Sequence, residues 1–185
     1  MSANLDSGHP RPDVRVGSTP PGNFIVSVAE RSLAADRFHW LMFVAILALT
    51  TAVDQAGKRI AASQLALGET VDWLGPLSFT HVQNPGIAFG YFAGFTPIIG
   101  LITAIVLVGL VGYFARAGAM HRLAPLALGL IAGGSASNLV DRLRLGYVTD
   151  YLSIPYWPSF NLADCFIVAG LVVVFRLARA DPVRR

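Results

Sequence analysis

TPIIGLITAIVLVGLVGYFA, residues 96 to 115, runs for twenty residues without a charged side chain. A helix rising about 1.5 Å per residue needs roughly that length to cross the hydrocarbon core of a bilayer. Without water to satisfy the backbone, such a segment must bond within itself, so it reads as a helix. Three comparable segments surround it. Phe38 to Ile60 contains WLMFVAILALTTAV, Leu123 to Val140 carries Gly129, Gly133 and Gly134, and Leu162 to Leu177 centres on FIVAGLVVVF. The last is short for a span unless its start is held inside the protein. The expected fold class is a membrane all-α core of four transmembrane helices, with a small extracytoplasmic β-containing region and short interfacial elements.

Composition agrees. Hydrophobic residues make up 54% of the 185 and charged ones 14%, and mean hydropathy is +0.58, outside the usual soluble mixture. Fourteen Lys and Arg exceed eleven Asp and Glu. The basic residues flank apolar runs instead of forming a stripe between aromatics, which excludes nucleic-acid binding as the reading.

Charge placement sets a topology. Arg31 and Arg37 precede the first span, Arg116 and Arg122 separate the second from the third, and Arg176, Arg179, Arg184 and Arg185 follow the fourth. Residues 61 to 95 hold no Lys or Arg, and residues 141 to 161 hold only Arg142 and Arg144. The bias of short cytoplasmic loops toward basic residues then puts both termini in the cytoplasm and both polar loops outside.

The domain organisation follows. Residues 1 to 30, rich in Pro, Gly, Ser and Asp, read as a disordered cytoplasmic leader without the pattern of a cleaved signal peptide. Residues 31 to 178 form the four-helix membrane domain, and 179 to 185 a basic cytoplasmic tail. Within the outer loop 61 to 95, Leu77, Phe79 and His81 alternate with Ser78 and Thr80, the period of one or two short strands, and Val71 and Trp73 could add another. Trp73, Phe79, Phe89, Tyr91, Phe92 and Phe95, with Tyr147, Tyr151, Tyr156 and Trp157 in the loop 141 to 161, suit a membrane interface. In the third span, Gly129 and Gly133 form a small-xxx-small pair, read as close helix packing or as access for substrate.

The carboxylates carry the chemistry. Asp141 closes the third span and Asp164 opens the fourth, each three residues after an asparagine, Asn138 and Asn161. Acids at membrane depth are costly and mark functional sites. If the two helices are antiparallel neighbours the acids meet, share one proton and hydrolyse an amide by general acid and base catalysis. The structural alternative pairs Asp141 with Arg142 or Arg144 and makes Asp164 a helix cap. Asp54 and Lys58 are spaced as an i,i+4 pair with a supporting role. Asp150 reads as the cap of a local turn. The segment 84 to 90, NPGIAFG, is either the end of the strand region or a strip of exposed backbone for an extended peptide.

Other chemistries lack their residues. Cys165 is the sole cysteine, and His9, His39, His81 and His121 are scattered without a zinc-ligand spacing. No metal and no cofactor is expected. The serines near the third span have no adjacent His or Lys base.

Taken in order, these motifs resemble the bacterial lipoprotein signal peptidases, or signal peptidase II, across about residues 38 to 178. The resemblance rests on Asp54 with Lys58, Asn84-Pro85-Gly86-Ile87-Ala88-Phe89, Gly133-Gly134 through Asn138-Leu139-Val140-Asp141-Arg142, Val148-Thr149-Asp150-Tyr151, and Phe160-Asn161-Leu162-Ala163-Asp164. It implies an aspartic endopeptidase that removes signal peptides from diacylglyceryl-modified prolipoproteins by cleaving before the lipidated cysteine. It further implies Asp141 and Asp164 as the catalytic pair, with Asn84, Gly86, Asn138, Arg142, Asn161, Asp54 and Lys58 binding substrate or supporting the site. The implied location is the bacterial inner membrane, with the active site near the outer leaflet. Membrane phospholipids and the precursor are the partners, and no obligate protein partner is implied. Ser137 stands where the family often has Gly, and Tyr151 where Phe is common. The alternative function is a transport or assembly protein using the acids as a proton or ion relay.

Overall fold

The computed structural model describes residues 35–86, 94–118 and 121–180. The leader, Arg31, the Ile87 to Gly90 part of the turn segment, Tyr91, Phe92 and the tail beyond Ala180 lie outside the described residues.

Four helices are present among them: α1 (Arg37–Gln64), α2 (Thr96–Ala117), α3 (Ala124–Leu145) and α4 (Leu162–Ala180). α1 and α2 are long and apolar enough to cross a membrane by length and composition. Their outward faces are apolar: Leu41 and Leu49 on α1, and Leu101, Ile105 and Val108 on α2, are exposed. α4 does the same with Val168, Leu171, Val172 and Phe175. Large apolar surfaces of this kind are unstable in water and natural in lipid.

α3 is the exception, and it organises the bundle. It touches each of the other three helices, and its small residues permit this. A β-carbon on Gly133 would overlap the Thr50 hydroxyl of α1, and one on Gly134 would overlap the Ala163 carbonyl of α4. Across the first contact, Thr51 Oγ1 donates to the Gly133 carbonyl at 3.0 Å. The packing reading of the small-residue stripe is therefore realised. Aromatic rings fill the space where α3 meets α1 and α2: Phe43 stacks on Phe114 at 4.4 Å and Trp40 meets Phe114 edge-on.

Three strands, β1 (Thr70–Leu74), β2 (Leu77–Asn84) and β3 (Val148–Ser153), form one antiparallel sheet in that order. β1 and β2, which pair antiparallel, lie where the alternation predicts short strands. β3, between α3 and α4, was not expected. It pairs Asn84 with Val148, Gln83 with Thr149 and Val82 with Asp150, and its first five residues are buried. The sheet docks on the helices through Tyr151, Leu152 and Ala61, with Leu77, Phe79, Phe160 and Leu162 around them.

All four helices run past their expected C-terminal ends, α2 only slightly, to Ala117. α1 continues to Gln64, α3 to Leu145 and α4 to Ala180, so the outer loops are shorter than 61–95 and 141–161, and the last helix enters the expected tail. α3 stops at Gly146, whose φ of 81° is a left-handed conformation that glycine adopts at little cost. Asp141 is consequently a helical residue, not a loop residue.

Candidate active site

Two groups of buried polar side chains lie where α1, α3, β3 and the start of α4 converge. The first is built on α1. Asp54 and Lys58, one turn apart, form an ion pair at 2.8 Å, and Lys58 Nζ also reaches Asp141 Oδ2 on α3 at 3.0 Å. Asp54 receives further hydrogen bonds from Ser137 Oγ (2.7 Å), Tyr151 Oη (3.1 Å) and the Ala163 backbone N–H (3.0 Å). Asp141 receives Gln55 Nε2 at 2.7 Å and the Thr149 N–H at 3.1 Å. All three charged residues are buried. Charges taken out of water are tolerable only when paired and hydrogen-bonded, as these are.

The second group is built on the N-terminus of α4. Asn161 precedes the helix; its Oδ1 accepts from the Asp164 N–H at 3.1 Å, while Asp164 Oδ2 accepts from the Asn161 N–H at 3.2 Å. This is the reciprocal geometry of a capping box. The same asparagine also turns its amide across to β3 and donates to Asp150 Oδ1 at 2.8 Å. Asn84, at the end of β2, donates to Asp150 Oδ2 at 3.0 Å. Asn138 donates to Asp164 Oδ1 at 2.9 Å and accepts from Lys58 at 2.8 Å, which links the two groups.

Asp141 and Asp164 thus share no direct hydrogen bond among the described residues. The acid that shares Asn161 with Asp164 is Asp150. Asp141 sits on Lys58 and on neither Arg142 nor Arg144, because its turn of α3 faces α1. Asp150 does not cap a turn; it lies within β3, 3% exposed. Asp164 does cap its helix, as the structural alternative held, and this leaves it partly open. Asp54 and Lys58 pair as spaced. Asn84, Asn138 and Asn161 all reach the second group. Gly86 N–H donates to Asn84 Oδ1, and its carbonyl accepts from Arg142 Nη2 at 3.1 Å.

Gln55, Thr149 and Asp150 escaped the sequence reading as site residues. A signal existed for Asp150: VTDYL places β-branched and aromatic residues around it, the composition of a strand.

Loss of solvent raises the Asp150 carboxyl to about 7; the charge of Asp164 adds to this, and the Asn84 and Asn161 bonds and Lys58 oppose it. A cleft of about 210 Å3, lined by Asn84, Pro85, Pro158 and Ser159, opens on Asp150. Arg142 Nε is buried and has no hydrogen-bond partner among the described residues. The cleft thus brings a solvent-accessible volume to the Asp150 carboxyl, which Asn161 links to Asp164. Among the described residues, no three His, Cys, Asp or Glu side chains gather as metal ligands.

Comparison with known proteins gives one answer. The family described as signal peptidase (SPase) II matches residues 46–178. The lipoprotein signal peptidase of Moorella thermoacetica is 35% identical over 133 residues, covering 71% of this chain and 89% of that protein. That of Pelotomaculum thermopropionicum is 40% identical over 127 residues, 68% of this chain and 83% of the other. A bacterial membrane enzyme solved by the in meso method superposes with a TM-score of 0.72 at 25% identity, covering 77% of this chain and 91% of that one. A second such structure gives 0.70 at 26% identity, covering 75% and 93%.

Proposed function

The chain belongs to the signal peptidase II family of multi-pass membrane enzymes, aspartic-type peptidases that process lipoprotein precursors, and we propose that Asp150 and Asp164 are its reacting pair. The observation that carries the assignment is Asn161, which holds one acid through its side-chain amide and the other through its backbone N–H. This revises the pairing of Asp141 with Asp164. Asp141 is ion-paired to the buried Lys58, a partner that neither Asp150 nor Asp164 has among the described residues, and it is also held by Gln55 and the Thr149 N–H, which makes it part of the scaffold. Nothing in the comparisons favours the transport or assembly reading.

The two acids divide the work. Asp164 stands in the first turn of α4, where the positive end of the helix dipole and two hydrogen-bond donors favour its anion. Asp150, with its carboxyl raised to about 7 by burial, is about half protonated at neutral pH and is the acid that carries the pair's proton. Asp164 takes a proton from water as the oxygen attacks the scissile carbonyl, and Asp150 protonates the carbonyl oxygen. The tetrahedral intermediate collapses when Asp164 passes its proton to the leaving nitrogen and Asp150 recovers its own, leaving a carboxylic acid and an amine. The Asn84 amide, on the cleft wall, and the Arg142 guanidinium, which holds the Gly86 carbonyl, position the substrate backbone.

The substrate is a prolipoprotein carrying diacylglycerol on its cysteine, cut immediately before that residue. Lipid chains, worth about 0.8 kcal/mol per buried methylene, keep the substrate in the bilayer while the peptide enters the cleft. The scarcity of Lys and Arg in both β-bearing loops supports termini in the cytoplasm and a site at the outer leaflet of the bacterial inner membrane.

The deciding experiment is cleavage of a synthetic diacylglyceryl-modified precursor by purified enzyme, followed by mass spectrometry, beside Asp141→Asn, Asp150→Asn and Asp164→Asn. Folded Asp150→Asn and Asp164→Asn yield no product at enzyme concentrations where Asp141→Asn still does. Product from Asp150→Asn at the parental rate overturns the assignment.

A further inference from the structure

Basic residues are scarce at the end of the bundle that carries the acids, and those present are not equivalent. Lys58 is neutralised by Asp54 and Asp141. Arg142 bonds the carbonyls of Gly86 and Asn138. Arg59 on α1 and Arg144 on α3 remain, and neither has an ion-pair partner among the described residues. Both line one cavity of about 150 Å3 between the ends of their helices. Arg144 lies in the last turn of α3, where a cation complements the helix dipole. Arg59 is more than a turn from the end of α1 and has no such explanation.

The geometry points to a binding site for the phosphate of a phospholipid headgroup, held between Arg59 and Arg144. Charge supports it: of the groups lining the cavity, Asp141 is committed to Lys58 and Gln55, which leaves the two guanidinium groups as excess positive charge. Arginine matches a phosphate in a bidentate way. The neighbourhood identifies the source of the phosphate. Ile60, next to Arg59, is 63% exposed, and Leu143, next to Arg144, is 75% exposed. Cations beside outward apolar side chains reproduce the boundary between headgroups and acyl chains, which a free oxyanion does not need. The site lies on the α1–α3 side of the acids, apart from the Asp150 cleft, and its lipid is a resident ligand, not the substrate.

Native mass spectrometry of the full chain, released from detergent doped with dioleoyl phosphatidylglycerol, tests this. The expected result is one retained lipid, with apparent affinity about fivefold weaker in Arg59→Gln or Arg144→Gln and about 25-fold weaker in the double variant, the scale of a cation facing an anionic headgroup. Dioleoylglycerol, which lacks the phosphate, is expected to bind parent and double variant alike. Arg122→Gln, remote from the cavity, retains the lipid as the parent does, and circular dichroism checks that each variant is folded. Equal phosphatidylglycerol affinity in the parent and the double variant overturns the site, as does an equal loss in Arg122→Gln. Displacement of the lipid by millimolar inorganic phosphate overturns the headgroup assignment in favour of a free oxyanion site.

Discussion

The Asp54–Lys58–Asp141 group and the Asp150–Asn161–Asp164 group use the same side-chain chemistry to opposite ends. In the first, a buried lysine sits between two carboxylates, and every carboxylate oxygen has a donor. In the second, two carboxylates are bridged by a neutral amide, with no cation hydrogen-bonded to either among the described residues. Carboxylates bonded to a cation fix helices; carboxylates bonded only to neutral donors keep a proton mobile. The lesson is that an acid's depth in the membrane does not reveal whether it reacts. Its partners do.

Substitutions can break this contrast, and the largest effect is on turnover. Asp150→Asn and Asp164→Asn are each expected to lower kcat by about 10^3-fold or more, at the upper range of a lost acid or base, with KM little changed in the lipidated-precursor assay. Asp141→Asn keeps measurable turnover and loses stability instead.

Next in size is the lysine. Lys58→Met strands two buried carboxylates, and the expected cost is about 3–5 kcal/mol, read as a lowered thermal unfolding midpoint in detergent. An unchanged midpoint would mean that the first group does not hold the helices.

The acids also differ in how pH acts on them. With its native pKa raised to about 7 from 3.8, Asp150 favours folding only while protonated. That contribution is fully present below about 4 and lost as pH rises to about 7. Asp150→Asn removes the penalty, so the inactive variant should unfold at a higher temperature than the parent at pH 8, with a smaller gain at pH 5. In the parent, kcat should fall as pH rises through about 7, because the proton donor is consumed.

The smallest effect separates bridging from capping. Asn161→Ser keeps an acceptor for the start of α4 and loses the amide that reaches Asp150, so turnover should fall while the unfolding midpoint stays near the parent's. Asn161→Ala also loses the cap and should cost about 1 kcal/mol more in stability. Equal midpoints for the two variants would show that the box geometry contributes little.

Much of this molecule was legible from the chain alone. The uncharged run 96–115 required a membrane helix, because no other backbone arrangement satisfies its own polar groups in lipid. The i,i+4 spacing of Asp54 and Lys58 put their pairing within one turn, and the alternation at 77–81 announced a strand. Gly133 and Gly134 marked a close approach, because nothing larger fits where α3 meets α1 and α4. Asp164 at a helix start was legible as a cap, and the fold makes it half of a capping box with Asn161.

Only the folded chain decided which acids face one another. Position along the sequence made Asp141 and Asp164 look alike, since each lies at one end of a span, three residues after an asparagine. Yet α3 continues past Asp141 to Leu145 and turns that carboxylate toward Lys58. The unexpected strand β3 then returns Asp150 to the start of α4. Helical phase and strand register over long separations determine such encounters, and they depend on how α1, α3 and the sheet pack, which no local pattern of residues encodes.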